Sequence, residues 1–294
     1  MAPNKALPSP AVGRGVGGEG WSAARALTGR LTVTLRIGIG GIGGRMGREI
    51  AAAALADPAI KLVGGVARPE TAAGVQSSFG REVRIVESVH ELLPHVDVLV
   101  DFTSPAATVE HARACVSTRR PMVSGVTGLS AGQLDELREA ARAIPLFYAR
   151  NMSLGISAML AVLPILVRAL EGYDVEILET HHRHKADAPS GTAVAFTEAI
   201  AAALDADPHD LTVYGRQGVA PRRSGDIGIH AVRAGGNAGE HTVLLADEGE
   251  EIRIAHRALS RRTFALGALR AASFVAAQSP GFYTMADVVA GRRS

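Results

Sequence analysis

The sequence predicts an α/β protein in two parts: a parallel sheet covered by helices, then a second α+β domain on a mixed or antiparallel sheet. Three observations predict it. From about residue 35, near-continuous apolar strands alternate with helix-like stretches, as in a sheet covered on both faces. After Asn151 the strands alternate polar and apolar residues and are joined by Gly- and Asp-containing turns, which suits antiparallel or mixed pairing. Hydrophobic residues make up 47% and charged residues 20%, which permits a large core and excludes global disorder; with aromatics at 4%, that core is aliphatic.

The elements follow in order. Residues 31–40 (LTVTLRIGIG) read as a β-branched strand that turns through glycines into a helix. Strands are predicted at 60–66, 82–86, 95–103, 121–124 and 145–148, with helices at 106–117 and from about 131. Residues 154–170 read as one buried helix, kinked at Pro164. Strands then dominate, at 175–182, 227–233, 241–246 and 251–256, interrupted by a helix at 192–204 and followed by a helix at 263–277. Residues 1–34 are expected to form a disordered N-terminal extension, because the first thirty are rich in Gly, Ala and Pro and lack the apolar core of a secretory signal.

Charge and cysteine content exclude several classes. Lys plus Arg is 31 against 29 for Asp plus Glu, a balance that gives no footprint for nucleic acid. The longest uncharged run, residues 151–167, is shorter than a bilayer span and contains Pro164, so no membrane partner is expected. One cysteine, Cys115, excludes an internal disulfide framework and implies a reducing, cytoplasmic setting. Free cysteine is usually a small buried hydrophobe, and Cys115 is given no catalytic role.

The run Gly41-Ile42-Gly43-Gly44-Arg45-Met46-Gly47 lies at the first strand–helix junction. Glycines there allow a tight turn, close approach of a pyrophosphate and close helix packing, and the helix start offers free N–H groups. This is the signature of a Rossmann-type dinucleotide-binding domain. The second strand ends Val66-Ala67-Arg68, with no acid to bond a ribose 2′-hydroxyl and an arginine able to meet a 2′-phosphate. That leans towards NADPH over NADH; a solvated surface arginine is the alternative reading of Arg68.

The most informative stretch runs from Glu179 to Ala193 (ETHHRHKADAPSGTA). His181, His182, Arg183, His184 and Lys185 leave a strand together, so neighbouring cations should depress one another's pKa and favour proton donation once an anion arrives. Pro189-Ser190-Gly191-Thr192 precedes a helix and forms a second anion site of backbone N–H groups. Together they suit a small dianion with a proton donor alongside. A metal site is disfavoured because adjacent strand residues point to opposite faces, and a solvated basic turn is the remaining alternative.

The glycine run at 41–47, Asp101-Phe102-Thr103-Ser104-Pro105, Ser124-Gly125-Val126-Thr127-Gly128 and the 179–193 stretch resemble the dihydrodipicolinate reductase family. The resemblance covers about residue 35 to the C-terminus and implies NAD(P)H-dependent reduction of 4-hydroxy-tetrahydrodipicolinate on the lysine and diaminopimelate route. It implies that His181 is the general acid/base and Lys185 a second proton donor. His182, Ser190, Gly191 and Thr192 would contact a dicarboxylate substrate. Gly41, Ile42, Gly43, Gly44, Arg45 and Met46 would hold the dinucleotide with Arg68, Phe102 and Thr103. Gly125, Val126 and Thr127, and the crossover Ala149, Arg150, Asn151 and Met152, would complete that site, and no metal is implied.

The resemblance also implies a dinucleotide-binding domain at 35–152 completed by 261–294, a substrate-binding and oligomerisation domain at 153–260, and a homotetramer. Ala67, Val126 and Arg150 depart from residues common in the family and bear on cofactor preference. Asp101 is read as a turn former or helix cap. Another dehydrogenase of similar layout, such as an aspartate or homoserine dehydrogenase, and a non-catalytic dinucleotide sensor are the competing readings. The histidine stretch with its PSGTA end argues against both.

Overall fold

A computed structural model describes residues 34–291. The extension expected over 1–34 lies, but for Thr34, outside the described residues. The chain begins β1 (Leu35–Gly40), α1 (Arg45–Leu55), β2 (Ile60–Val66), α2 (Pro69–Phe79) and β3 (Arg84–Val86). A short α3 (Val89–Leu92) leads to β4 (Val98–Asp101), α4 (Pro105–Thr118), β5 (Met122–Ser124), α5 (Ala131–Ala140) and β6 (Pro145–Tyr148).

These strands form a parallel sheet in the order β6-β5-β4-β1-β2-β3, with every pair parallel. Its central strands are largely apolar; all four residues of β4 are buried, Asp101 at its end included. Helices cover both faces because such strands must be shielded on both sides. Ile37, Ile39, Val98, Val100 and Val123 share one core with α1. Leu99, Met122 and Leu146 share the other with Cys115 of α4. Burial raises the Cys115 thiol pKa, so this group packs as an apolar side chain.

The second part opens with α6 (Leu154–Ala169), which runs through Pro164, and β7 (Asp174–His181). Then come α7 (Gly191–Ala203), a short α8 (Pro208–Leu211), β8 (Thr212–Tyr214), β9 (Ile227–Arg233), β10 (Glu240–Ala246) and β11 (Glu251–Arg257). Their sheet has the order β11-β10-β7-β9-β8. It is mixed: β10 is antiparallel to both its neighbours, while β7, β9 and β8 run parallel. Residues 175 and 177 of β7 face α6 and α7 with Phe196, Ile200 and Val243, while the even-numbered face carries Glu176 and the exposed Leu178.

The chain then returns to the first sheet. Helix α9 (Arg262–Val275) buries its alanine face in the core shared with α1, and β12 (Gly281–Tyr283) pairs parallel with β6 at the sheet edge. A short α10 (Met285–Val289) follows. Gly267 lets α9 reach the crossover, since a Cβ there would lie 1.7 Å from the Met152 carbonyl oxygen. Elements α2, α8, β8, β12 and α10 are findings of the structure that the residue pattern does not announce.

Candidate active site

The glycine turn joins β1 to α1. Gly41 has φ +77°, a conformation that favours glycine, and a Cβ on Gly47 would lie 2.2 Å from the Gly41 carbonyl oxygen. Gly44 caps α1 with no side-chain hydrogen bond, so no side chain of its own competes for the N–H groups of the first turn, Arg45 and Met46 among them. This turn fits the pyrophosphate of a dinucleotide, because backbone can approach without a Cβ in the way.

The other predicted dinucleotide residues sit at the carboxyl ends of parallel strands, the edge where ligands bind in such sheets. Ala67 is buried beyond β2, and Arg68 caps α2 with its guanidinium exposed, Nε 3.2 Å from Glu70 Oε1. Phe102 and Thr103 follow β4; Gly125, Val126 and Thr127 follow β5; Ala149 to Met152 follow β6. The Phe102 ring lies on the Gly125 backbone, where a Cβ would come within 2.2 Å of it. The Val126 N–H donates to Ser124 Oγ at 3.3 Å.

Of the two roles read for Asp101 in the sequence, turn former or helix cap, the structure does not place it at the cap. Ser104 caps α4 instead, its hydroxyl accepting from Ala107 N–H. The Asp101 carboxylate is fully buried and accepts from the Thr103 hydroxyl at 2.7 Å and from the Thr108 hydroxyl. Its Oδ1 also lies 2.9 Å from His111 Nδ1. The carboxylate ties the loop after β4 to α4, and the capping chemistry falls to Ser104.

At the end of β7, Glu179 and His181 share the inward face. His181 Nδ1 lies 2.5 Å from Glu179 Oε2, and Arg233 donates to both Glu179 oxygens at 2.8 Å. The Ser190 N–H donates to Glu179 Oε1 at 3.0 Å. Burial pushes the Glu179 carboxyl up, but bonds from Arg233, His181 and Ser190 outweigh it and hold the group below the usual carboxylate range. Burial lowers the His181 pKa further than Glu179 raises it, with Lys185 and Arg233 also lowering it.

His182 donates its backbone N–H to the Asn237 carbonyl, and Lys185 closes the turn on the His182 carbonyl. Ser190 caps α7, so Gly191 and Thr192 form its first turn. The Ser190 hydroxyl contacts His241 Nε2 at 2.9 Å, and the His241 ring meets the His181 ring edge-on at 5.1 Å. Burial, and then the charge of His181, push His241 down to about 4. Asn151 Nδ2 donates to Thr192 Oγ1 at 3.0 Å, which joins the crossover to the α7 turn.

The predicted residues thus fall in two groups, one on the parallel-sheet edge and one between β7 and α7, brought together at Asn151 and Thr192. Arg68 follows β2, the strand beside the glycine turn, where Gly41 N–H and Ile42 N–H both donate to the Val66 carbonyl. Sequence reasoning gave no role to Glu179, Arg233 or His241. The Glu-x-His spacing on a strand, which puts both side chains on one face, is a signal for the first. Arg233 and His241 become visible only through strand register.

A dinucleotide turn on a parallel sheet, followed by a mixed-sheet lobe bearing a buried histidine, defines a two-lobed nicotinamide-dependent oxidoreductase. Residues 35–152 match the family described as dihydrodipicolinate reductase, N-terminus, and residues 155–289 its C-terminus. The chain belongs to the dihydrodipicolinate reductase family.

It is 49% identical to a 4-hydroxy-tetrahydrodipicolinate reductase of Rubrobacter xylanophilus, over 87% of this chain and 98% of the relative. A Methylococcus capsulatus protein of the same name is 43% identical, with the same coverage of both chains. The fold resembles dipicolinate-bound dihydrodipicolinate reductase from Paenisporosarcina sp. TG-14, with TM-score 0.70 and 24% identity over 85% of this chain and 97% of that one. It also resembles Lactobacillus casei scyllo-inositol dehydrogenase, with TM-score 0.56 and 13% identity over 88% and 94%.

Proposed function

We infer that this chain reduces 4-hydroxy-tetrahydrodipicolinate to tetrahydrodipicolinate with NAD(P)H, in lysine and diaminopimelate biosynthesis. The relatives' names and the family match support the reaction. The observation that carries the site is the Asn151–Thr192 bond, which sets the dinucleotide edge against the turn suited to carboxylates.

When bound, the nicotinamide dinucleotide supplies the hydride. The Ser190-Gly191-Thr192 turn, with Lys185 and His182, holds the two carboxylates and orients the ring. The 4-hydroxyl leaves as water to give a conjugated cyclic imine; His181 gives a proton to the ring as negative charge develops there on hydride addition, and Lys185 is the second proton donor. Gly41 to Met46, Phe102, Thr103, Gly125 to Thr127 and Ala149 to Met152 bind the dinucleotide. Residues 35–152 with 261–294 form the dinucleotide domain, and 153–260 the substrate domain. The buried Ala67 and the exposed Arg68 favour NADPH.

A cytoplasmic homotetramer is the assembly we assign. Leu178 of β7 and Val232 of β9, on the sheet face away from α6 and α7, are 45% and 48% exposed, an apolar surface suited to pairing with a second copy. Among the described residues, no helix is long and apolar enough to cross a membrane. The test of function is loss of reduced-nicotinamide absorbance on adding 4-hydroxy-tetrahydrodipicolinate made by its synthase. No oxidation with either NADPH or NADH would overturn the reading, and a monomer by light scattering would overturn the assembly.

A further inference from the structure

Glu179 is the most heavily bonded carboxylate near the site, and the proposed chemistry does not use it. It is 1% exposed, and an unpaired buried carboxylate is costly. Arg233 satisfies that cost by gripping both oxygens, and it also donates to the Asp187 carbonyl at 2.6 Å. Two further donors nevertheless converge on the same oxygens, His181 Nδ1 and the Ser190 N–H.

An ionised carboxylate only accepts hydrogen bonds, so His181 Nδ1 carries a hydrogen. The atom left to titrate is Nε2. It faces Gly239, where a Cβ would stand 3.0 Å away, so a side chain at 239 would crowd the very nitrogen that must meet substrate.

We propose that Glu179 is a positioning residue: backed by Arg233, it holds His181 as the Nδ1–H form with Nε2 presented to substrate, and through the Ser190 N–H it fixes that ring to the carboxylate-binding turn. The proposal rests on the reductase reading for the role of His181. The groups facing His181 are Glu179 on its own strand, Lys185 in the following turn, Arg233 on β9 and His241 on β10. Glu179 alone among them favours the protonated ring. Its loss leaves Arg233 and Lys185 unopposed.

Nitrogen-resolved NMR of the resting wild-type protein, above the His181 midpoint, tests the first half without turnover. The expected spectrum shows a protonated Nδ1 and a bare Nε2; the opposite tautomer, or an even mixture, overturns the proposal. Failure of NADPH oxidation would instead strike the reductase reading and leave the tautomer result standing. In Glu179→Gln, the alkaline limb of kcat/KM should move to lower pH by about one unit or more, the size expected for losing an adjacent opposite charge, with NADPH affinity by fluorescence unchanged. A wild-type profile in that variant overturns the proposal. Should Glu179→Gln not fold, the wild-type tautomer decides, and Arg233→Lys, which keeps the charge but loses the two-pronged grip, should lower kcat without moving the dinucleotide affinity.

Discussion

Lys185 Nζ lies 2.8 Å and 2.9 Å from the two Asp187 oxygens, so the cation assigned to the substrate is already engaged by a residue of its own turn. An arriving dianion must draw Lys185 away from an exposed carboxylate. Lys185→Ala should weaken pyridine-2,6-dicarboxylate binding, by no more than the ~1.5–3 kcal/mol of a charged hydrogen bond. Asp187→Asn should tighten it, most clearly at low salt. Calorimetric titration decides: equal affinity in wild type and Lys185→Ala would place the dicarboxylate elsewhere.

His181→Gln should lower kcat by about 10²–10³-fold, the usual range for a general acid, while NADPH affinity stays the same. The donor works only when protonated, and burial lowers its pKa. Activity in kcat/KM should therefore fall as pH rises, with a midpoint below the ordinary imidazole value of about 6.5. A midpoint above that value would mean that Glu179 outweighs burial. His184→Gln should matter less, since His184 has no assigned role.

Cofactor choice turns on the end of β2. Ala67 cannot bond a ribose hydroxyl, and Arg68 shares its charge with Glu70. We expect kcat/KM to favour NADPH modestly, the margin to narrow with salt, and Ala67→Glu to shift it towards NADH. Glu70→Gln should free Arg68 and widen the margin. A wild-type preference for NADH by about tenfold, or 1.4 kcal/mol, would show that other residues decide.

His241 gives an acid-stability prediction. The folded state keeps it neutral, with its pKa pushed down to about 4, whereas the unfolded chain takes up its proton near 6.5. Its contribution is whole above that unfolded value and is lost as pH falls towards about 4, an effect on the order of 3 kcal/mol. Urea melts at neutral pH and near pH 5 should differ by about 2 kcal/mol of that, and His241→Phe should flatten the difference. An unchanged slope in that variant would assign acid sensitivity to other groups.

Much of this architecture is legible in the residues because the signals are local. β2, β6 and β9 stand out as strand-like runs bounded by turn residues, and their bounds coincide with those observed. His181, Lys185 and Ser190 to Thr192 lie in one short stretch, so their proximity needs no tertiary knowledge. Helix α2 hides because a single residue of it, Val75, is buried, leaving no apolar stripe to read. Arg233 hides for a different reason: it meets Glu179 because β9 runs in register beside β7, with Arg233 opposite His181. At the β4–α4 junction, Asp101 and Ser104 are both chemically competent caps, and only the direction of each side chain separates buried hub from helix cap.

The pairing of β12 with β6 sets a timetable for synthesis. Strand β6 lies at Pro145–Tyr148, and its outer neighbour is Gly281–Tyr283, so on the ribosome that edge waits while the whole mixed-sheet lobe is made. During that interval Leu146 and Phe147 belong to a parallel edge with bare backbone groups, the kind of edge that recruits foreign strands. The nascent chain carries that edge until residues 281–283 emerge, and three-residue β12 then takes its place as the outer strand.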